Sequence, residues 1–365
     1  MKIAILQQDL LSVINSVSRS VGVKSTLPVL GNILLGVEDN KLKVAATNLE
    51  IGIIKYISAK VLDSGEITIP AKTIVDIVSS LGPAEITIET EGDNITISSG
   101  KFKAKINGIA SSEFPVIPTT DTFLITFPKE TLRGCAQILF AAASDEGRPT
   151  LTGILTQSNG GNLDFVATDG FRLAHRQVKL ENKGEIKSLI PRRTFEEVLR
   201  LIDEEAVTSV EASTSKDQNQ IIFKIGQTIV SSRLIEGQFP SWEKIIPTEI
   251  KTRSLIDKPA FHQAIKLASV FAKSEANIIS LKVAKSSLQV SSEAKELGSQ
   301  LNEVEADTEG EEIEIAFNGK FLSDVISAVP STQLMMEFSG PLSATLIKPV
   351  GVEGLEYILM PVRIS

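Results

Sequence analysis

The sequence predicts an α+β fold: one unit repeated three times, each with two helices packed on antiparallel sheets. Three observations carry that prediction. First, identities recur 121 residues apart: Pro28 and Pro149, Leu30 and Leu151, Ala46-Thr47 and Ala167-Thr168, Ile69-Pro70 and Ile190-Pro191. Self-similarity at a fixed period marks a repeated structural unit. Second, amphipathic helical patterns fall at matching places in each third of the chain. Third, strand patterns greatly outnumber helical ones, so most strand neighbours must be antiparallel.

Each unit opens with a short strand and then a helix, predicted over 8–21, 129–143 and 258–273. In the first helix Leu10, Leu11, Ile14, Val17 and Val21 recur at helical spacing, and in the third Phe261, Ile265, Ala268 and Phe271 do the same. A second helix follows an alternating strand in each unit, over 71–81, 192–202 and 319–329. Period-two strands lie between and after the helices, among them 41–44, 85–89, 94–97 and 220–225. The unit ends also match: Phe114-Pro115 and Phe239-Pro240 are followed by Ile117-Pro118 and Ile246-Pro247. A four-residue increase in that spacing fits an insertion at the polar stretch 217–220. The predicted domains are therefore 1–120, 121–250 and 251–365.

Composition narrows the function. The chain has 365 residues, a net charge of −8 and 42% hydrophobic residues, which supports packed cores and excludes global disorder. One cysteine, Cys135, forms neither an internal disulfide nor a cysteine-based zinc site, and points to a reducing, cytoplasmic setting. Two histidines, His175 and His262, leave little for a metal centre or a nucleophile relay, and both read as structural. Gln7, Gln8 and Asp9 interrupt any signal-peptide core, and no apolar run is long enough for a membrane span. No phosphate-binding glycine loop, dinucleotide fingerprint or H-E-x-x-H occurs. Thr168-Asp169-Gly170-Phe171-Arg172 resembles an active-site loop, but Asp-Gly is first a turn signal. No catalytic residue, metal or cofactor is expected.

The charge is unevenly spread. The predicted helices carry more basic than acidic residues, while the rest of the chain is strongly acidic. Basic helices on an acidic body fit a phosphate-facing layer, and fit ordinary solvated helix faces equally. Lys24 and Arg148 precede the matching prolines, in loops. No basic-aromatic ladder and no helix-turn-helix or zinc-finger spacing is present, so any contact with DNA runs through phosphates without sequence preference. Lys101, Lys103 and Lys105 alternate along one strand, and Glu303, Glu305 and Asp307 along another. Two readings are open: charge-protected edges, or edges that pair head to tail between copies.

Taken together, these features resemble the bacterial sliding clamps, the beta subunits of DNA polymerase III. The likeness rests on Thr26-Leu27-Pro28-Val29-Leu30-Gly31-Asn32, on 167–174, on Phe239-Pro240 with Ile246-Pro247, and on the terminal Tyr357-Ile358-Leu359-Met360-Pro361-Val362-Arg363. It covers essentially the whole chain. It implies a head-to-tail homodimeric ring with helices lining the hole, encircling double-stranded DNA. It implies a groove for short motifs of the polymerase III catalytic subunit, the clamp loader, other polymerases and repair proteins. Matched to the family, the groove residues are Leu151, Thr168, Gly170, Phe171, Arg172, Leu173, Pro240, Ile245, Ile358, Met360, Pro361 and Val362. The DNA-contacting residues are Lys24, Lys72 and Arg148. Val270 and Phe271 join the charged strands at the dimer interface. Two other classes compete: an enzyme using the 168–172 loop, which lacks a credible base or metal, and a scaffold that binds only proteins.

Overall fold

The computed structural model describes residues 1–22, 27–145, 147–180, 185–215, 217, 219–274 and 276–363. Six helices occur among them: α1 Gln7–Ser18, α2 Ala71–Ser80, α3 Lys129–Ala136, α4 Arg192–Glu204, α5 Lys258–Ala272 and α6 Gly319–Ala328. Each starts within one residue of its predicted position. The clear departure is α3, which stops seven residues early. Gln137 N–H bonds back to Gly134 O and Ile138 N–H to Cys135 O, so the chain tightens into three-residue turns. Leu139 and Ala141 stay buried beyond that point, which is why the apolar spacing reads on as helix. Strand and helix starts follow local chemistry. Asp257 accepts from Ala260 N–H at the head of α5, with Pro259 in the first turn, and Asn318 accepts from Lys320 and Phe321 N–H at the head of α6.

The described residues form two compact bodies. The first comprises 1–129 and 196–234. It holds a five-stranded sheet, in the order Lys60–Asp63, Lys2–Leu6, Glu85–Glu91, Asn94–Ser99, Phe102–Asn107. Its second sheet has eight strands. Ile125–Pro128, Ser209–Thr214, Gln220–Ile225 and Thr228–Arg233 from the middle third continue into Ile51–Ser58, Lys41–Thr47, Asn32–Glu38 and Glu66–Pro70. Helix α1 packs beside α2 and over Lys41–Thr47 and Ile51–Ser58, burying Leu10, Val13, Ile14 and Val17. Inside this body Lys55 is buried, with its ammonium 2.6 Å from Glu204 and 2.8 Å from Glu205. Arg200 extends the cluster to Glu204 and Glu197, and Arg19 also reaches Glu197.

The second body comprises 130–195 and 235–363 of the described chain. Its sheet has twelve strands, ordered Lys187–Pro191, Gly153–Asn159, Asn162–Thr168, Arg172–Lys179, Leu355–Leu359, Thr345–Pro349, Gln333–Phe338, Thr252–Asp257, Gly298–Gly310, Ser287–Ala294, Ile278–Val283, Ile313–Asn318. Strand Gly298–Gly310 serves two neighbours, Ser287–Ala294 along its first part and Thr252–Asp257 along its last. Helix α5 packs over Ser287–Ala294 and Gly298–Gly310, beside α6. All ladders in both bodies are antiparallel, as the alternating patterns require.

The 121-residue repeat is visible atom by atom. Pro28 and Pro149 each open a one-turn helix, Pro28–Gly31 and Pro149–Thr152. Thr47 Oγ1 donates to Ile51 O and accepts from Leu49 N–H; Thr168 Oγ1 donates to Arg172 O and accepts from Gly170 N–H. Asn48 and Asp169 then each accept from the amides two and three residues on. The left-handed residue of this turn is Leu49 (φ 75°) in one copy and Gly170 (φ 91°) in the other. The 168–172 segment is thus a structural turn with its polar atoms committed to the backbone.

Candidate functional site

The site lies in the second body, where the turn 168–172 meets the strand Leu355–Leu359. Register brings the walls together. Leu173 is directly opposite Ile358, and Ile358 is directly opposite Leu346 on its other side. Cross-strand neighbours stand about 5 Å apart on one face, so the three form a continuous apolar ladder. Leu155, Val166, Leu189 and Trp242 complete a buried cluster with them, and Ile235, Phe239, Ile246 and Ala344 pack against it. Large apolar side chains of the same body remain in solvent: Phe171 is 56% exposed, Met360 40% and Ile245 36%. Apolar side chains left in water favour a partner that covers them.

The turn is held rigidly. The Arg172 guanidinium is buried, with Nε 3.0 Å from Asp169, one terminal nitrogen 2.6 Å from Asp324 and the other donating to Phe140 O at 3.0 Å. Its plane lies 4.7 Å from the Phe321 ring centroid and 5.1 Å from that of Phe140. Phe171 stacks on Phe321 at 5.8 Å, and Met360 N–H donates to Phe171 O at 2.9 Å. A fork of donors between two rings fixes the turn in one orientation, which a lysine's point charge cannot do.

On the same sheet face as Leu173, His175 lies between two carboxylates. Nε2 is 2.9 Å from Asp164 and Nδ1 is 2.8 Å from Glu356, and the ring meets Trp242 at 4.3 Å. Burial disfavours the charged imidazole, but the hydrogen bonds to Asp164 and Glu356 outweigh it and hold the histidine above its ordinary pKa. Cys135 is fully buried and its thiol is pushed well above its usual range by desolvation, which leaves it inert as a nucleophile.

The other predicted site residues are dispersed. Leu151 is buried in the turn Pro149–Thr152, where its carbonyl accepts from Ala143 N–H. Pro240 is exposed and Pro361 half-buried, while Val362 N–H donates to Ala316 O and ties the chain end to strand Ile313–Asn318. Lys72 is exposed on α2. Arg148 donates to Asp169 O at 2.9 Å, and so braces the turn 168–172. Lys24 lies outside the described residues. Lys103 and Lys105 are exposed on Phe102–Asn107, the edge of the five-stranded sheet, with Lys101 in the turn before it. Glu303 and Glu305 are exposed on Gly298–Gly310, along the part that pairs with Ser287–Ala294. Val270 is 62% exposed on α5 beside half-buried Phe271.

Sequence reasoning did not place Leu155, Val166, Leu346 and Trp242 in the floor, or Phe140, Phe321 and Asp324 around Arg172. Leu155 and Val166 had a local signal, since they align at 121 residues with buried Leu34 and Ala45 of the first unit. Among the described residues no helix is long and apolar enough to cross a membrane.

Comparison with known proteins agrees with this architecture. Residues 1–118, 127–241 and 243–363 match the family models of the DNA polymerase III beta subunit's N-terminal, central and C-terminal domains, in that order. The chain is 33% identical over 392 residues to the beta sliding clamp of Synechocystis sp. and 31% identical over 380 residues to that of Synechococcus elongatus, covering all of each. Among solved structures, the DNA polymerase sliding clamp of Bacillus subtilis superposes with a TM-score of 0.95 at 27% identity, and that of Caulobacter crescentus with 0.92 at 30%, each over the full length of both chains. Three clamp domains in order, over the full length of the relatives and with the same fold, make this chain a member of the DNA polymerase III beta subunit family.

Proposed function

We propose that the chain is a processivity factor and not an enzyme: a cytoplasmic sliding clamp, with domains 1–120, 121–250 and 251–365. Two copies close head to tail into a ring around double-stranded DNA. The lysine edge, Lys101, Lys103 and Lys105, meets the acidic strand bearing Glu303 and Glu305, with Val270 and Phe271 as the apolar part of the contact. Opposite charges on the two strands set partner and register. Encirclement replaces tight binding by topological linkage, and contacts from Lys24, Lys72 and Arg148 to phosphates are then weak and independent of base sequence. The ring carries no nucleotide motif, so its opening is the work of an ATP-driven clamp loader.

The observation that supports this reading is the apolar ladder Leu173–Ile358–Leu346, in the same body as the solvent-exposed Phe171, Ile245 and Met360. It suits short peptides bearing Leu and Phe, the kind of anchor that fills an apolar pocket while backbone groups orient it. Such motifs on the polymerase III catalytic subunit, the loader, other polymerases and repair proteins would hold each partner at high effective concentration beside the DNA. Two measurements test it together. The protein is expected to stay on closed circular DNA and to slip off once that DNA is linearised. A Leu-Phe peptide is expected to bind the intact protein and to lose about 1–2 kcal/mol of affinity to Met360→Ala, a partly exposed rim contact. Equal retention on both DNA forms removes the ring, and equal peptide affinities in a folded variant remove the cleft.

A further inference from the structure

We propose that His175 is a positioning residue for the cleft, holding Trp242 and the Leu173–Ile358 pair in place through its two bonds to Asp164 and Glu356. This rests on the peptide-binding reading of the cleft and adds a device to it. Three elements are joined by the one ring. Asp164 lies on Asn162–Thr168, His175 on Arg172–Lys179 and Glu356 on Leu355–Leu359. Side chains alternate across a sheet, so His175 stands on the same face as Leu173 two residues before it, and Glu356 on the same face as Ile358. The strands that carry the cleft's two central walls are therefore clamped one step behind them. The ring's remaining face bears on Trp242, the floor's largest side chain.

The charge balance favours the imidazolium. Asp164 and Glu356 face it directly. Gln177 Nε2, 2.9 Å from Asp164, shares that carboxylate without supplying charge. Lys348, on the next strand out, is committed to Glu337 at 2.9 Å, and Arg253, two strands further, to the same carboxylate at 3.0 Å. A neutral ring donates from one nitrogen only and would set the other against a carboxylate oxygen; a protonated ring donates to both. The stabilisation is thus fully present at pH below the free imidazole's pKa and is lost as pH rises through the higher folded value.

Trp242 is the chain's one tryptophan, so tryptophan emission reports on the surroundings of this one side chain. The test compares the intact protein with His175→Gln and Glu356→Gln between about pH 5 and about pH 9, which spans the ordinary imidazole range and the pH just above it. Tryptophan emission is followed, and so is affinity for a blocked Leu-Phe peptide with no titratable side chain. The intact protein is expected to show a fluorescence transition above the usual histidine range and peptide binding several-fold weaker at the alkaline end. His175→Gln is expected to abolish both trends, and Glu356→Gln, which keeps the ring and the shape, to move the transition to lower pH. Peptide binding whose pH profile is the same in all three proteins overturns the role of His175 and leaves the cleft standing. A native protein that binds no peptide at any pH overturns the cleft and the positioning role with it.

Discussion

Ile117 lies against the backbone of Gly52, its Cγ2 2.8 Å from where a β-carbon on that glycine would stand. The residue 121 positions later is Leu173, a wall of the cleft. In the first unit the chain's own segment after Phe114 packs on the cluster of Val29, Leu30, Leu34, Ala45 and Ile54. The repeat has thus kept the turn and the floor twice, and in the first copy Ile117 fills the place of the side chain that Leu173 supplies in the second. Gly52→Ala is expected to destabilise the protein by about 1–3 kcal/mol, as overpacking does. A denaturant midpoint equal to the native one would mean that Ile117 moves aside freely.

Lys55 is the next test. Removing its ammonium by Lys55→Met leaves Glu204 and Glu205 without their closest cation, at a cost of about 3–5 kcal/mol. Glu204 is itself desolvated, yet its bonds with Lys55, Ser16 and Arg200 hold it below the ordinary carboxylate range. Its contribution is present above the unfolded carboxylate's pKa and is lost as pH falls through the lower folded value. Chemical denaturation at neutral and at acid pH is expected to show the native protein losing stability on acidification more steeply than Glu204→Gln. Parallel curves would exclude Glu204 as an acid-labile tie.

Closure of the ring is probed at Phe271. Phe271→Asp would bury an unpaired carboxylate in the proposed interface, again about 3–5 kcal/mol. Sedimentation at low concentration is expected to give monomers for the variant and dimers for the native chain. A dimeric variant would place the interface elsewhere.

The DNA contacts have an internal control. Replacing Lys24, Lys72 and Arg148 by alanine is expected to flatten the salt dependence of DNA association by up to about one ion per lost contact. Arg148 also braces the turn at Asp169. Lys72→Ala, on the exposed face of α2, therefore isolates the phosphate term. An unchanged slope in both variants would show that these side chains do not face DNA.

Much of this was legible in the chain. Helix starts were readable because periodicity is local, as in the recurrence of Leu10, Ile14 and Val17 along α1. The turn at Thr168 was readable because Asp-Gly is a local signal. The cleft's centre, Leu173 and Ile358, came from family resemblance and not from pattern, because residues 185 positions apart are joined only by strand order. For the same reason Asp324 was not seen as the partner of Arg172, nor Glu356 as that of His175, and a lone histidine on a strand read as an ordinary core residue. The end of α3 was misjudged because burial continues beyond it through a tighter turn of the same chain.

The division of the middle third between two bodies bears on how such a chain could be cut and rejoined. Its repeat is a unit of heredity but not of assembly. Excising 127–241 would take four strands from the eight-stranded sheet and four from the twelve-stranded one. It would bare the long edges of Ile51–Ser58 and Leu355–Leu359 at once, and exposed edges of that length recruit other chains. A gene for this protein is therefore poorly suited to shuffling in thirds. Grafts and tags belong instead at hairpin tips such as Gly160-Gly161, which face open space, provided both glycines are kept for their positive φ.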